Sequence, residues 1–289
     1  LYAVSTWSRG GWVSSETCDH TSVLRLIEQR FGVAETNISP WRRAFCGDLT
    51  TCFDFVHPNR ERPVLPPGSL VTSELINENQ ARQDQIPLPS EDGQSPPVQP
   101  QGIKPSRALP YELHATLRAS GNSVRIAFAS SGAAGAVFHV YDRLHLDRAP
   151  RRYGVEAGKL IEDSWDTSAD GGRYDLWLLS NNGWHRHFSG STRNAEPEVQ
   201  VCYDVANGDL ILKTHGSAQL RITDNAYFRG GPWKLAAGGE QSFDLASSQG
   251  WYDFTLRIED GNGNWSRRCA GRVETGRPGI SDPAMGQSG

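Results

Sequence analysis

The sequence predicts a short helix-bearing segment followed by two all-β sandwich domains. Three observations carry this expectation. Period-two hydrophobic runs crowd the carboxyl-terminal part, a proline-rich stretch precedes them, and the β region repeats itself. At 289 residues the chain has room for about two domains, or three small ones.

The leading segment runs from Leu1 to about residue 82. Val23, Leu24, Leu26, Ile27 and Phe31 fall on one side of a helix, and Gly32 stands where a left-handed residue normally stops one. Thr36-Asn37-Ile38-Ser39-Pro40 breaks the chain, and Trp41 to Phe45 resumes as a short helix or turn. Asp48 offers a cap for a second helix start over Leu49 to Phe53. Asp54-Phe55 and Pro58, Pro63, Pro66 and Pro67 then lead the chain over a surface. A segment of this kind can cover one edge of a sheet but does not make a self-sufficient α/β domain. The chain starts at Leu1 and its only methionine is Met285, so it is expected to be the back part of a longer protein.

From Gln83 to Pro105, prolines 87, 89, 96, 97, 100 and 105 alternate with glutamines and little that is apolar. Such a composition cannot bury a core and favours extended, semi-rigid spacing, so it reads as a linker. The strands follow. Val124, Ile126 and Phe128 alternate with polar or small neighbours, as do Val199 with Val201, Leu210 with Leu212, Leu220 with Ile222, and Phe254, Leu256 and Ile258. Tyr174-Asp175-Leu176-Trp177-Leu178 returns as Tyr252-Asp253-Phe254-Thr255-Leu256, and Asn182 to Arg186 is answered by Gly263 to Arg267. Gly190 is matched by Gly271, and Pro150, Tyr153 and Gly158 align loosely with Pro232, Leu235 and Gly239. Residues 106–192 and 193–276 are therefore expected to be two copies of one β-domain, with 277–289 a tail. Two copies are too few for a solenoid, so each should bury its own core.

A net charge of −4 gives no basic field for nucleic acid and no polybasic membrane anchor. No apolar run approaches the roughly 20 residues that cross a bilayer. Five cysteines at 18, 46, 52, 202 and 269 lack CxxC spacing, which argues against a structural zinc. Cys46 and Cys52 could close a small disulfide loop, or all five could be separate buried thiols.

Chemistry concentrates near the start. Asp19-His20 places a carboxylate beside an imidazole just before a helix, and Trp7-Ser8-Arg9-Gly10-Gly11-Trp12-Val13 is a glycine-rich turn ahead of them. Taken alone, the dipeptide is more often a helix cap than a ligand set. Glycines that let backbone approach a ligand, with a helix amino terminus that favours anions, raise the alternative of a metal-assisted phosphoester site. There a hard divalent cation would take Asp19, and His20 would ligate it or donate to a phosphate oxygen.

The stretches Thr6 to Val13, Asp19 to Leu24, Phe31-Gly32-Val33, Asn37 to Arg43 and Cys46 to Thr50 closely resemble the bacterial phosphocholine-preferring phospholipases C, of the haemolytic and non-haemolytic Pseudomonas type. The paired β-domains and the segment Gly271 to Pro278 resemble the carboxyl-terminal part of the same enzymes. The resemblance implies an α/β fold for residues 1–82, as the carboxyl-terminal part of an alkaline-phosphatase-like catalytic domain related to a group of acid phosphatases. It implies cleavage of phosphatidylcholine or sphingomyelin with release of phosphocholine, and export to the periplasm or medium. By the same resemblance Asp19 matches a metal-ligand position, for a divalent ion of unstated identity, and His20 is its catalytic neighbour. The family's Glu-Asn metal pair and hydroxyl nucleophile have no counterpart here. Hydrolysis through a phosphoryl-enzyme intermediate is therefore assigned to the longer enzyme, and residues 1–289 alone are expected to be inactive.

Arg42 and Arg43, beside Trp41, could hold a lipid phosphate while the indole stacks on choline. The favoured plainer reading makes Trp41 core, with the arginines covering it. The loop Tyr227 to Lys234 could dip into a bilayer interface; a hairpin with inward aromatics is slightly preferred. His185 and His187 are not repeated in the second copy, where Ser266 and Arg268 stand, which counts against a shared metal role. Trp184 and Trp265 recur as core anchors. Phosphocholine lipids and a peripheral membrane surface are the expected partners. The rival expectations are a phosphatase or other phosphodiesterase of the same superfamily, and a non-enzymatic lipid- or carbohydrate-binding protein.

Overall fold

The computed structural model describes residues 1–64, 66–80, 82–85, 87–95, 101–259 and 264–285. Pro96, Pro97 and Pro100 of the linker and Gly263 of the repeat lie outside the described residues.

Two sandwiches of seven strands each dominate. The first comprises β2 (Leu113–Ser120), β3 (Ser123–Ser130), β4 (Ala136–Asp142), β5 (Arg151–Val155), β6 (Lys159–Asp166), β7 (Arg173–Leu179) and β8 (His185–Ser191). The second comprises β9 (Glu198–Asp204), β10 (Asp209–His215), β11 (Leu220–Asp224), β12 (Trp233–Leu235), β13 (Glu240–Phe243), β14 (Trp251–Ile258) and β15 (Ser266–Arg272). In each, a three-stranded antiparallel sheet faces four other strands: β2-β3-β6 in the first and β9-β10-β13 in the second. Alternation explains the strands. Val124, Ile126 and Phe128 on β3, and Leu210 and Leu212 on β10, point inward and are fully buried. Two separate cores result, one around Phe128, Phe138 and Trp184, the other around Leu212, Phe254 and Trp265.

The repeat has a consequence beyond duplication. Strands β8 and β15 pair antiparallel, so the two four-stranded sheets fuse into one of eight, ordered β12-β11-β14-β15-β8-β7-β4-β5. Register places His187 opposite Arg268, Arg186 opposite Cys269 and Phe188 opposite Arg267. His187 and Arg268 occupy the same position in their copies, so a pseudo-twofold axis passes between them. Arg186 and Arg267, another equivalent pair, each cross this junction. Arg186 donates to Ala270 O (3.1 Å), Tyr203 Oη (2.7 Å) and Tyr252 Oη (3.1 Å). Arg267 donates to Ser189 O (2.8 Å), Tyr174 Oη (2.7 Å) and Glu196 (3.3 Å). Each arginine therefore reaches the tyrosine of the other copy.

The leading segment docks on the first sandwich. Val13 bridges to Ser106 of a two-stranded sheet made by β1 (Pro105–Ser106) and β16 (Gly279–Ile280), with Val13 N–H donating to Pro105 O and Arg107 N–H to Val13 O, both at 2.9 Å. Helix α1 spans His20–Phe31 and ends at Gly32, whose φ of 68° is left-handed and whose N–H donates to Glu28 O. Its apolar residues do not form a packed face: Val23, Ile27 and Phe31 are exposed, and Thr21 and Ser22 are the buried ones. Helix α2 (Pro40–Phe45) is capped by Ser39, and its Phe45 is buried against Gly135 and Gly154 of the first sandwich. Trp41 is exposed and stacked on Phe45 at 5.0 Å, so the expectation of a core tryptophan is corrected.

The second helix start at Asp48 shrinks to a single 3-10 turn, Thr50–Cys52. The cap position falls on Leu49 (φ 67°), with no side-chain cap bond, so Asp48 is not the cap expected; it accepts from Thr50 N–H at 3.0 Å from one residue further back, and Phe53 is already extended. A helix the sequence did not suggest, α3 (Ser69–Gln80), follows the prolines with no side chain buried. All five cysteines are free; Cys46 and Cys269 are buried and Cys18 is exposed. The plainer of the two thiol readings therefore holds only in part.

Candidate active site

Asp19 is an N-cap with extended backbone (φ −131°, ψ −172°). Its Oδ1 accepts from Thr21 N–H (2.8 Å) and from the Thr21 hydroxyl (2.6 Å), while Ser22 Oγ accepts from Asp19 N–H (3.0 Å), completing a capping box. Its Oδ2 is ion-paired with Arg42. The Thr21 hydroxyl, with the Thr21 N–H and Arg42 adding to it, holds the Asp19 carboxyl below the usual aspartate range. His20, the first residue of α1, is exposed. The structure thus brings Arg42 to Asp19, while His20 stands next to Asp19 as its chain neighbour. Arg43 turns away to Glu28 (2.8 Å) and the Glu35 carbonyl (2.7 Å). Neither arginine covers Trp41 as the plainer reading supposed; both are drawn off by carboxylates.

The glycine-rich turn opens elsewhere. Gly10 (φ 119°) and Gly11 (φ 68°) line a cleft of about 640 Å³ with Arg9, Trp12, Glu16 and Cys18. Asp19, His20, Arg42 and Arg43 are not among the residues lining it. The acid in this cleft is Glu16, which sequence reasoning missed. Its carboxyl lies against Gly47, where an added Cβ would come within 2.4 Å of it, and the Thr51 hydroxyl donates to it. Burial raises the Glu16 carboxyl above the ordinary glutamate value, the neighbouring Asp48 adds to that, and Thr51 and Arg25 oppose it. The only available signal was its position three residues before Asp19 and next to a glycine-rich turn.

A divalent ion needs several anionic or imidazole donors, and these residues do not supply them by themselves. Both oxygens of Asp19 are engaged by Thr21 and Arg42, and no group of three or more His, Cys, Asp or Glu side chains suits a metal among the described residues.

The loop Tyr227 to Lys234 is mostly tied inward. Tyr227 donates to Asp282 (2.8 Å), Arg229 is buried in an ion pair with Asp224 (3.2 Å), and Trp233 packs edge-on against Phe243 and Phe254. Of its aromatic residues Phe228 is the exposed one, at 87 %. His187 bonds Asp175 at 2.6 Å, whereas His185 Nε2 is buried with no hydrogen-bond partner among the described residues. Trp184 and Trp265 are both buried.

Comparison with known proteins agrees with this organisation. The family described as bacterial phospholipase C, C-terminal domain, matches residues 105–191 and 197–272, and the phosphoesterase family matches residues 1–34, which include Asp19 and His20. The chain is 42 % identical to the non-hemolytic phospholipase C of Pseudomonas aeruginosa, over 99 % of this chain and 43 % of that protein. It is likewise 42 % identical to the non-hemolytic phospholipase C of Burkholderia pseudomallei, over 99 % of this chain and 42 % of that one. The hemolytic phospholipase C of P. aeruginosa is 37 % identical, over 99 % of this chain and 44 % of its own length. The chain spans less than half the length of these relatives. With a phosphoesterase match over residues 1–34 and two sandwiches that both match, the chain belongs to the bacterial phospholipase C family and carries that family's C-terminal domain.

Proposed function

We propose that this chain serves a phospholipase C that cleaves phosphatidylcholine or sphingomyelin and releases phosphocholine, acting outside the cytoplasm. The observation that carries this reading is similarity to three named phospholipases C along 99 % of the chain, with the phosphoesterase match falling on the Asp19 segment. Residues 1–82 would belong to an alkaline-phosphatase-like α/β catalytic domain, residues 83–105 would tether it, and 106–192, 193–276 and 277–289 would be the two β-domains and the tail. Asp19 is proposed as the metal-facing carboxylate and His20 as the catalytic neighbour. The ionised state of Asp19 and the exposure of His20 at the start of α1 support that pairing. For Asp19 to take this role Arg42 must give way, since it occupies Oδ2. Once released, Arg42 is the nearer of the two arginines for a substrate phosphate. Arg43 is held by Glu28 and is the weaker candidate.

The test is phosphocholine release from phosphatidylcholine and sphingomyelin vesicles by the protein at the full length of its relatives, with p-nitrophenyl phosphate as a soluble comparison. Asp19→Ala is expected to lower turnover by about a hundredfold or more, the scale of losing one charge-stabilising group. Unchanged turnover would remove Asp19 from the chemistry. Preference for the soluble ester would instead favour a phosphatase.

A further inference from the structure

The fused sheet has an outer face shared by both copies, with Phe45 and Trp41 of α2 lying over its Gly154 at the first-sandwich end, and the charges left free on it are cationic. On the second sandwich Lys234 stands opposite Arg221, and Arg221 opposite Arg257, so three exposed cations share one cross-strand row. Like charges directly opposite one another in a sheet repel. Lys234 has Glu259 at 2.9 Å, while Arg221 and Arg257 have no ion-pair partner among the described residues. The acids of this face are spoken for. Asp253 holds Arg268 (2.8 Å) and Asn225 (2.7 Å), and Asp175 holds His187 (2.6 Å) with Arg143 at 3.7 Å. On the first sandwich the face continues with Trp177, 37 % exposed beneath Arg143 (4.9 Å), then Leu179 and the exposed Arg152 opposite His139.

We propose that this outer face is a docking surface for an anionic phospholipid bilayer. Three properties fit it to that occupant. It is broad, because the six strands from β12 to β7, beyond the part that α2 overlies, span roughly 25 Å at about 4.8 Å spacing. It gathers cations that have no ion-pair partner among the described residues, in a chain whose net charge is −4. It also carries a half-exposed tryptophan, a side chain that settles at membrane–water interfaces. The choice of a bilayer over another flat polyanion rests on the lipid-substrate reading above; the cationic row does not.

The experiment is co-sedimentation of residues 1–289 with sucrose-loaded vesicles of phosphatidylcholine alone or mixed with phosphatidylglycerol, at low and high salt. Hydrolysis is not read, so failure of the catalytic proposal leaves the result interpretable. Expected is partitioning at least about tenfold stronger onto the anionic vesicles, and its loss at high salt. R221S/R257S should reduce that partitioning by about tenfold. Arg118→Ser, on β2 of the opposite sheet, should leave it unchanged, and circular dichroism should show all variants folded. Equal binding to neutral vesicles, binding to neither, or undiminished binding by R221S/R257S overturns the proposal. So does equal competition by a short DNA duplex, which would mark a general polyanion site.

Discussion

The two halves of the junction between the sandwiches share a motif and a strand position, yet they neutralise their buried arginines differently. Arg186 rests on neutral groups: the hydroxyls of Tyr203 and Tyr252, the Ala270 carbonyl, and the indole face of Trp184 at 4.5 Å. Arg267 has an ion pair with Glu196, both side chains being 6 % exposed. The register gives the reason. Tyr203 lies opposite Leu210 at the start of the buried run of β10, and Ala119 lies opposite Val124 at the same point of β3. Where the second copy supplies a hydroxyl, the first supplies only a methyl. The connection between the copies fills the gap with Glu196, which also receives Ser191 N–H at 2.5 Å. A duplicated fold has thus kept its cation and replaced the partner.

The sharpest way to break this comparison is to remove each arginine. Arg267→Met leaves the Glu196 carboxylate buried without its counter-ion, and a loss of about 3–5 kcal/mol is expected from urea unfolding. Arg186→Met strands only neutral hydroxyls and carbonyls, and about 1–3 kcal/mol is expected. Equal losses would mean that Glu196 contributes nothing specific to its half.

A second asymmetry titrates. His185 is held down at about 4, chiefly by burial and then by Arg268, His187 and Arg186, whereas its counterpart is Ser266. An unfolded histidine takes its proton near pH 6.5. Below that pH the unfolded chain gains a proton that the folded chain refuses until about 4, so stability falls across this window and levels off beneath it. His185→Ser, which restores the residue of the second copy, should remove up to about 3 kcal/mol of that acid loss. Parallel unfolding curves for the two proteins from pH 7 to 4 would show that His185 is not the group responsible.

The junction also marks how far the sequence could be read. Alternation along strands such as Ser123–Ser130 and Asp209–His215 is local, so it was legible, as was the recurrence of Tyr174-Asp175 in Tyr252-Asp253. The pairing of β8 with β15 is an edge-to-edge contact between residues 185–191 and 266–272, and no periodicity encodes it. Arg186 and Arg267 therefore looked like ordinary members of a motif, although they are buried across the axis. In the leading segment, the same limit worked the other way. Asp19 was weighed as cap and as ligand, and both its capping bonds and its pairing with Arg42 are present. The pairing joins residues 23 positions apart through the turn before α2, which the residue pattern did not fix. Glu16 was missed for a similar reason, because its surroundings, Gly47 and Thr51, arrive from beyond α2. The apolar side of α1 is legible as a stripe, but Val23, Leu24, Ile27 and Phe31 stay exposed rather than joining a core, since a stripe specifies burial without naming what buries it.

The finest test concerns the hydroxyl that separates the two halves. Tyr203 Oη accepts from Arg186, donates to Leu113 O (2.8 Å) and lies within 3.3 Å of Trp184 Nε1, so it joins β9 of one copy to β2 and β8 of the other. Trp265, the counterpart of Trp184, has no partner for its Nε1 among the described residues, and the junction tolerates that. Tyr203→Phe keeps the ring and deletes only the oxygen. Arg186 retains Tyr252 and Ala270, and Trp184 retains the Leu113 carbonyl at 3.0 Å. The loss should therefore stay near that of one hydrogen bond to a charged group, about 1–2 kcal/mol, with amide exchange quickening in β8 and β9 but not in β13. A loss as large as that of Arg267→Met would show that the neutral half is held by this one oxygen, and that the two halves differ less than their charges suggest.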